Sequence, residues 1–325
     1  MKRIIFSVVV SMMLLCACDS NKDAEKIENN TEKTSETDTT ENLKVDKNVG
    51  VSTSANMWKG VKDEKTGELK YAYILEDYIS FDTKQVDMQT SICIDSHNPD
   101  YENVEAIACM AIDGKLISFS MDGEENKVVH NITLGNGKEE KKKLSFMVDN
   151  LPKDEKKAWV FMVIPILEEY WHDPDETMVA YYIKDILYTG DGEIIEENDY
   201  CSEGYYYGTT KNVYGKSINE ISMYSGAVCD YILQDKNGTW NYMSDHAKGK
   251  TIVLLFCDGK LYNGFGESYG MIIDKTSDEQ VHMPIDISKL AEGMHKMFAG
   301  VLMYDNDGKL HKVTKSLAGD VCIGE

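Results

Sequence analysis

Arginine is almost missing from this chain: Arg3 is the only one, so the 34 basic residues are otherwise lysine. Without guanidinium forks, the mature protein is poorly equipped for bidentate capture of phosphates or carboxylates. Positive charge is short in total as well, 34 basic against 56 acidic residues, for a formal net charge of -22. Nucleic acid is thereby excluded as a partner, because nothing would neutralise its phosphates. Catalytic and metal signatures are missing too. There is no H-E-x-x-H and no C-x-x-C, which removes zincin, zinc-ribbon and thioredoxin-like readings. No long stretch sustains a 3.6-residue apolar period, so a helical protein is not expected.

An apolar run of membrane-spanning length is also absent. Ile4 to Ala17 is largely apolar, broken only by Ser7, Ser11 and Cys16, and a spanning helix needs about 20 residues. With Lys2 and Arg3 before it, the run has the charge and length of a signal peptide. It ends Leu15-Cys16-Ala17-Cys18. This resembles the lipobox of bacterial lipoproteins, in which a Leu, a variable residue and a small residue precede a cysteine. The resemblance implies a diacylglycerol thioether on Cys18, cleavage just before it, loss of Cys16 with the signal, and a lipid anchor on the extracytoplasmic face of the cell membrane. In a Gram-negative cell, Asp19 would also favour retention in the inner membrane.

Asp19 to Asn48 holds Ala24, Ile27, Leu43 and Val45 as its only apolar residues. That is too little apolar surface to offset the entropy of ordering, so a disordered tether is expected, with a reach of roughly 30 Å. From about Ser54 the pattern becomes short apolar runs separated by Asp113-Gly114, Asp122-Gly123, Asn136-Gly137, Asp191-Gly192, Asn237-Gly238, Asp258-Gly259 and Asp307-Gly308. These are hairpin-turn signals. The runs Ile107–Ile112, Lys127–Leu134, Ala158–Ile166, Thr251–Phe256 and Met297–Tyr304 are strand-length, and together they argue an all-β sandwich or barrel.

The chain also repeats itself. AIDGKLISF (111–119) is similar to FCDGKLYNGF (256–265), SFMVDNL (145–151) to PIDISKL (284–290), and AWVFMV (158–163) to MFAGVL (297–302). The first copy is six residues longer between the first two blocks, a difference assigned to the charged Gly137–Lys143 segment. Leu290-Ala-Glu-Gly293-Met-His295, a strand, and then Tyr304-Asp-Asn-Asp-Gly308 resemble the late part of bacterial immunoglobulin-like domains. That resemblance implies a β-sandwich scaffold for spacing, adhesion or binding.

Six cysteines remain after Cys18: Cys93, Cys109, Cys201, Cys229, Cys257 and Cys322. An exported location permits disulfides, but Cys93, Cys109 and Cys257 lie inside apolar strands and are read as buried thiols, with a Cys93–Cys109 bridge as the first alternative. Asp235-Lys-Asn237-Gly238 and Asp305-Asn-Asp307-Gly308 are read as turns, not calcium loops, because they lack EF-hand spacing. The acidic stretch His172-Asp-Pro-Asp175-Glu176, next to Trp171, is read as a solvated loop, with carboxylates holding Ca²⁺ as the alternative. A possible binding surface is Tyr205, Tyr206, Tyr207 and Tyr214 among small residues, with Trp171 nearby, a composition suited to stacking recognition; the alternative is an inter-domain connection that buries these tyrosines.

The sequence therefore predicts an all-β protein with two tandem immunoglobulin-like sandwiches. Its parts are a signal peptide (1–17), a lipidated polar linker (18–53), a first sandwich (54–198) and a second (199–325). It assigns no catalytic residue, metal or cofactor. The expected role is binding or display at the envelope, toward a protein or glycan. The alternatives are a secreted cell-wall hydrolase without a recognisable motif and, disfavoured for want of helices, the solute-binding lipoprotein of an importer.

Overall fold

Met57, Met88, Ile92 and Phe146 sit at inward positions of alternating strands, and this period of two builds the first sheets. The architecture is given by a computed structural model that describes residues 51–148, 151–170, 178–190, 207–209, 230–235, 237–244, 249–266, 268–275 and 281–324. The first half contributes β1 (Ser52–Lys62), β2 (Leu69–Tyr73), β3 (Tyr78–Phe81), β4 (Gln85–Asp95), β5 (Asn103–Ile112), β6 (Lys115–Leu116), β7 (Phe119–Met121), β8 (Val129–Gly135), β9 (Glu140–Met147), β10 (Lys156–Pro165) and β11 (Ala180–Tyr188). One sheet runs β2-β1-β4-β9-β7 and the second runs β3-β11-β10-β5, with β6 and β8 both on β5. The β3–β11 pair is parallel, Tyr78 facing Asp185. With β1, β4, β9 and β7 in one sheet and β5, β10 and β11 in the other, the strands are distributed as A, B, E, D and C, F, G are in the immunoglobulin sandwich. Between them lies a core that includes Met57, Met88, Ile92, Phe146, Met110, Ile112, Trp159 and Phe161, in which Phe146 stacks on Trp159 at 6.1 Å.

The second half contributes β12 (Tyr207–Thr209), β13 (Tyr231–Gln234), β14 (Trp240–Ser244), β15 (Gly249–Cys257), β16 (Lys260–Leu261), β17 (Gly270–Lys275), β18 (Val281–Pro284), β19 (Gly293–Tyr304), β20 (Leu310–Lys315) and β21 (Gly319–Ile323). A third sheet runs β12-β17-β15-β19-β20, with β16 on β15 and β21 on β19, and a fourth runs β13-β14-β18. Their facing sides bury Ile232, Tyr242, Leu255, Met297 and Val301. The protein is thus all-β and built from two sandwiches, as the sequence predicts.

The sandwiches are also packed on one another. Residues 106–112 of β5 are buried at every position, because both faces of that strand are covered. Ile107, Cys109, Val160, Met162 and Ile164 on the back of the second sheet share one cluster with Ile252, Leu254, Phe256, Phe298 and Leu302 on the back of the third. Among the described residues, the four sheets therefore stack on one another, and the apolar cluster between the second and third sheets lies between the repeats. Gly300 allows this approach: a Cβ there would sit 3.2 Å from the Phe256 ring and 3.3 Å from Ile164 Cδ1.

The turns follow the dipeptides. Asp113, Asp122 and Asp258 adopt positive φ (47, 52 and 48°), each followed by a positive-φ glycine, as two-residue type I′ hairpins require. At Asn136-Gly137, Asn237-Gly238 and Asp307-Gly308 only the glycine is left-handed. Asp191-Gly192 lies outside the described residues. Asp235 Oδ1 accepts from the amides of Asn237 and Thr239 at 2.8 and 2.9 Å. Asp305 Oδ1 does the same for Asp307 and Lys309 at 3.0 and 2.8 Å. These carboxylates cap their own turns.

The repeat is equally visible, with two corrections to its alignment. The Asp113 amide donates to Ala158 O at 2.7 Å, and the Asp258 amide to Lys296 O at 2.9 Å. Ala158 is thus equivalent to Lys296 and Trp159 to Met297, one residue away from the alignment of AWVFMV with MFAGVL. The extra length of the first copy lies largely in β7 and its Asp122-Gly123 turn, whereas Glu140–Lys143 belongs to β9 and pairs with β4.

Candidate functional site

Of the residues that the sequence singled out, Cys18, Trp171, Tyr205, Tyr206 and Tyr214 lie outside the described residues, as do Cys201, Cys229 and the stretch 172–176. Tyr207 is described through its backbone, which opens β12 and pairs in parallel with Gly270 of β17. Cys93, Cys109, Cys257 and Cys322 are free thiols. A Cys93–Cys109 bridge is ruled out by the topology: Cys93 is on the solvent side of the first sheet, opposite Ser54, while Cys109 points from the second sheet into the core between the sandwiches. Burial pushes the Cys257 thiol up to about 12, with Asp258 adding to the effect.

Among the described residues, the outer side of the first sheet is a broad solvated face. In β4 the burial alternates, with Val86, Met88, Ile92 and Ile94 inward and Gln85, Asp87 and Gln89 outward. β14 of the fourth sheet, in contrast, is buried at all its positions. Because cross-strand partners share a face, the register aligns rows of side chains on this surface. Tyr73, Trp58, Gln89 and Lys143 form one row, and Tyr71 and Gly60 continue into Asp87 and Ser145 in the next. Tyr73 is 52% exposed and meets Trp58 edge-on at 5.8 Å, and Lys141 Nζ stands 5.9 Å from the Trp58 ring. Burial and then the Asp87 charge raise the Tyr71 hydroxyl above its ordinary value, which places that carboxylate close to the tyrosine across Gly60. A hollow of 290 Å³ is lined by Lys59, Val61, Phe81, Asp82, Gln85 and Asp87, among others, and a Cβ at Gly60 would sit only 2.7 Å from the Asp87 carbonyl oxygen. Gln85 Nε2 donates to Asp87 Oδ1 at 3.2 Å and to Ser145 Oγ at 3.1 Å, so the polar wall is held by its own bonds.

A local signal for this face existed. In Leu69-Lys-Tyr71-Ala-Tyr73 the two tyrosines are spaced i, i+2 and must share a side of a strand. Which side is solvated depends on the facing sheet, and that is not written locally.

A second cluster brings Cys257, Asp258 and His295 together, with ligand atoms within 4.8 Å of one another. His295 Nδ1 lies 2.7 Å from Asp258 Oδ2, and Nε2 lies 2.9 Å from the carbonyl oxygen of Ala291. Both neighbours accept, so both ring nitrogens donate and the ring is an imidazolium. The other repeat explains the arrangement. At the equivalent place Lys157 Nζ is 3.5 Å from Asp113 Oδ2, and Asp113 Oδ1 and Asp258 Oδ1 cap the equivalent amides of Ala158 and Lys296 at 3.0 and 2.9 Å. The position holds a cation in both copies, a permanent one in the first and a titratable one in the second. As it stands, this is a structural clip and not a metal or nucleophile site.

The bond to Asp258, then the one to Ala291, raises His295 above the ordinary histidine value. Burial pulls the Asp258 carboxyl up, but its bonds to His295 and the Lys296 amide, with the charges of His295 and Lys260, outweigh that and hold it low. The histidine's contribution to stability is therefore complete below about pH 6.5 and is lost as pH rises through its raised value. That of Asp258 is present above about pH 4 and is lost as pH falls. Urea midpoints of the wild type and His295→Gln should differ most near pH 5–6 and converge toward pH 9. A gap that does not change with pH would show that the imidazolium contributes nothing.

Gly266-Glu267-Ser268-Tyr269-Gly270 spells G-x-S-x-G, a pattern that the sequence reading passes over. A nucleophile elbow needs an exposed serine between a strand and a helix. Ser268 is instead 2% exposed, its amide donates to Phe265 O at 3.1 Å, and β17 follows. The pattern here is a turn before a strand.

No protein-family model matches the sequence, and no curated protein matches it. Among solved structures, the chain is similar to the CupB2 chaperone of Pseudomonas aeruginosa at 9% identity and TM-score 0.22, over 76% of this chain and 96% of that one. It is similar to the E. coli chaperone DraB at 8% identity and TM-score 0.22, over 76% and 96%. The major pilin subunit BcpA of Bacillus cereus matches at 10% identity and TM-score 0.21, over 85% of this chain and 67% of that one. At such scores the strand pairing itself, and not these likenesses, establishes the fold.

Proposed function

We propose that this chain is a lipid-anchored, non-catalytic binding protein of the extracytoplasmic face of the cell membrane. Cys18 carries the anchor, residues 18–53 link it to the sandwiches, and the solvent face of the first sheet is the recognition surface. One observation carries the binding reading. The second and third sheets cover each other, while the first sheet carries Trp58, Tyr71 and Tyr73 on its solvent side. Aromatic groups on an otherwise polar face supply contact area at low entropic cost, which suits recognition. The lipobox residues Leu15-Cys16-Ala17-Cys18 support the anchor.

The anchor is tested by mass spectrometry of the mature chain from cells. The wild type should begin at Cys18 with acyl mass added and should sediment with membranes. Cys18→Ala should carry no acyl mass and retain an uncleaved leader. Acylation that persists in the variant would overturn the assignment.

A further inference from the structure

The first sheet's solvent face has a composition that narrows its ligand. Its aromatic groups are three rings, Trp58 on β1 and Tyr71 and Tyr73 on the edge strand β2, fixed relative to each other by the pairings Trp58↔Tyr73 and Gly60↔Tyr71, with Leu69 and Met147 on the same face. Around them stand planar or short polar side chains: Asn56, Gln85, Asp87, Gln89 and Ser145. Neighbouring strands are about 4.8 Å apart and alternate residues about 6.7 Å apart along a strand. Every ring therefore has an amide, carboxylate or hydroxyl within one row.

A protein-binding patch would concentrate apolar surface at its centre and exclude charge from it. Here Asp87 and Lys143 share the rows with the rings, and Lys141 Nζ stands 5.9 Å from the Trp58 ring. Alternating ring faces and planar hydrogen-bonding groups match the alternating C–H faces and hydroxyl edges of pyranose sugars. The polar groups are also pre-positioned, since Gln85 is bonded to both Asp87 and Ser145, which lowers the entropic cost of binding. The net charge of -22 would repel a polyanion.

We propose that this face binds a neutral polysaccharide, with sugar rings stacked on Trp58 and Tyr73 and hydroxyls held by Gln85, Asp87 and Gln89. This deepens the binding reading above and rests on it.

The test uses the full mature chain in detergent with cellohexaose, chitohexaose and the corresponding insoluble polymers, read by tryptophan fluorescence and pull-down. The wild type should bind at least one of them. Trp58→Ala and Tyr73→Ala should each weaken binding about tenfold or more at unchanged urea midpoint, and Asp87→Asn should weaken it further than Tyr181→Ala, which should leave it unchanged. Binding that survives both ring substitutions, or no binding to any neutral polymer, would overturn the inference. A photo-cross-linker replacing Tyr73 in cells separates the two readings. If no glycan binds but the cross-linker captures a protein, the glycan inference fails and the binding face stands. If it captures nothing either, both fail.

Discussion

Phe298→Ala is expected to destabilise both sandwiches together, by about 3–5 kcal/mol. Phe298 belongs to the second repeat, but its ring stacks on Phe256 at 5.3 Å inside the core that the repeats share, with Val160 and Met162 of the first repeat in the same cluster. The cavity would open between the second and third sheets, which are central layers of the stack. Because each of these sheets also forms one wall of its own sandwich, relaxation there loosens the outer cores as well. Amide exchange should therefore accelerate in β4 of the first sandwich as well as in β18 of the second, and urea unfolding should remain one transition. Exchange confined to the second sandwich would mean that the shared core does not couple them. Leu254→Asp should be more severe, leaving an unpaired charge in the same layer.

Trp159→Ala carries the other large effect, again about 3–5 kcal/mol. Trp159 is fully buried, lies parallel to Phe146 and meets Tyr182 edge-on at 6.1 Å, so little around it can collapse into the space. The sharper expectation is the contrast with Trp159→Phe. Among the described residues the indole nitrogen finds no hydrogen-bond acceptor, and a buried donor left without one costs about 1–3 kcal/mol. Phenylalanine removes that donor while keeping most of the ring, so its net cost should be under about 1.5 kcal/mol. Equal losses in the two variants, measured by urea denaturation, would show that the indole is satisfied in solution.

What could be read from the chain follows the range of the interactions involved. The Asp-Gly turns at 113, 122 and 258 were legible because two adjacent residues decide a type I′ geometry. The strands β5, β8, β10, β15 and β19 were legible because apolar runs of strand length sit between such turns. The repeat was legible in outline, but its third block slid by one residue. In a strand that slip exchanges the two faces, and here it hid the equivalence of Lys157 with His295. The cation clip at Asp258 joins residues far apart in the chain, and only the β15–β19 pairing brings them to 2.7 Å. The G-x-S-x-G pattern shows the converse: a local motif whose meaning depends on the element that follows it.

The amino-acid sequence by itself determined that this protein is all-β, where its turns fall, and that it is two related halves, since each is set by residues within a few positions of one another. Only the tertiary structure decided which faces are covered. Ile107, Cys109 and Ala111 alternate along their strand just as Trp58 and Gly60 do along theirs. One set is buried against the other repeat and the other looks into solvent. Alternation names two faces but not their environments, and the environment comes from the sheet that packs opposite. The proposed recognition surface is the side of the first sheet on which, among the described residues, no further sheet packs.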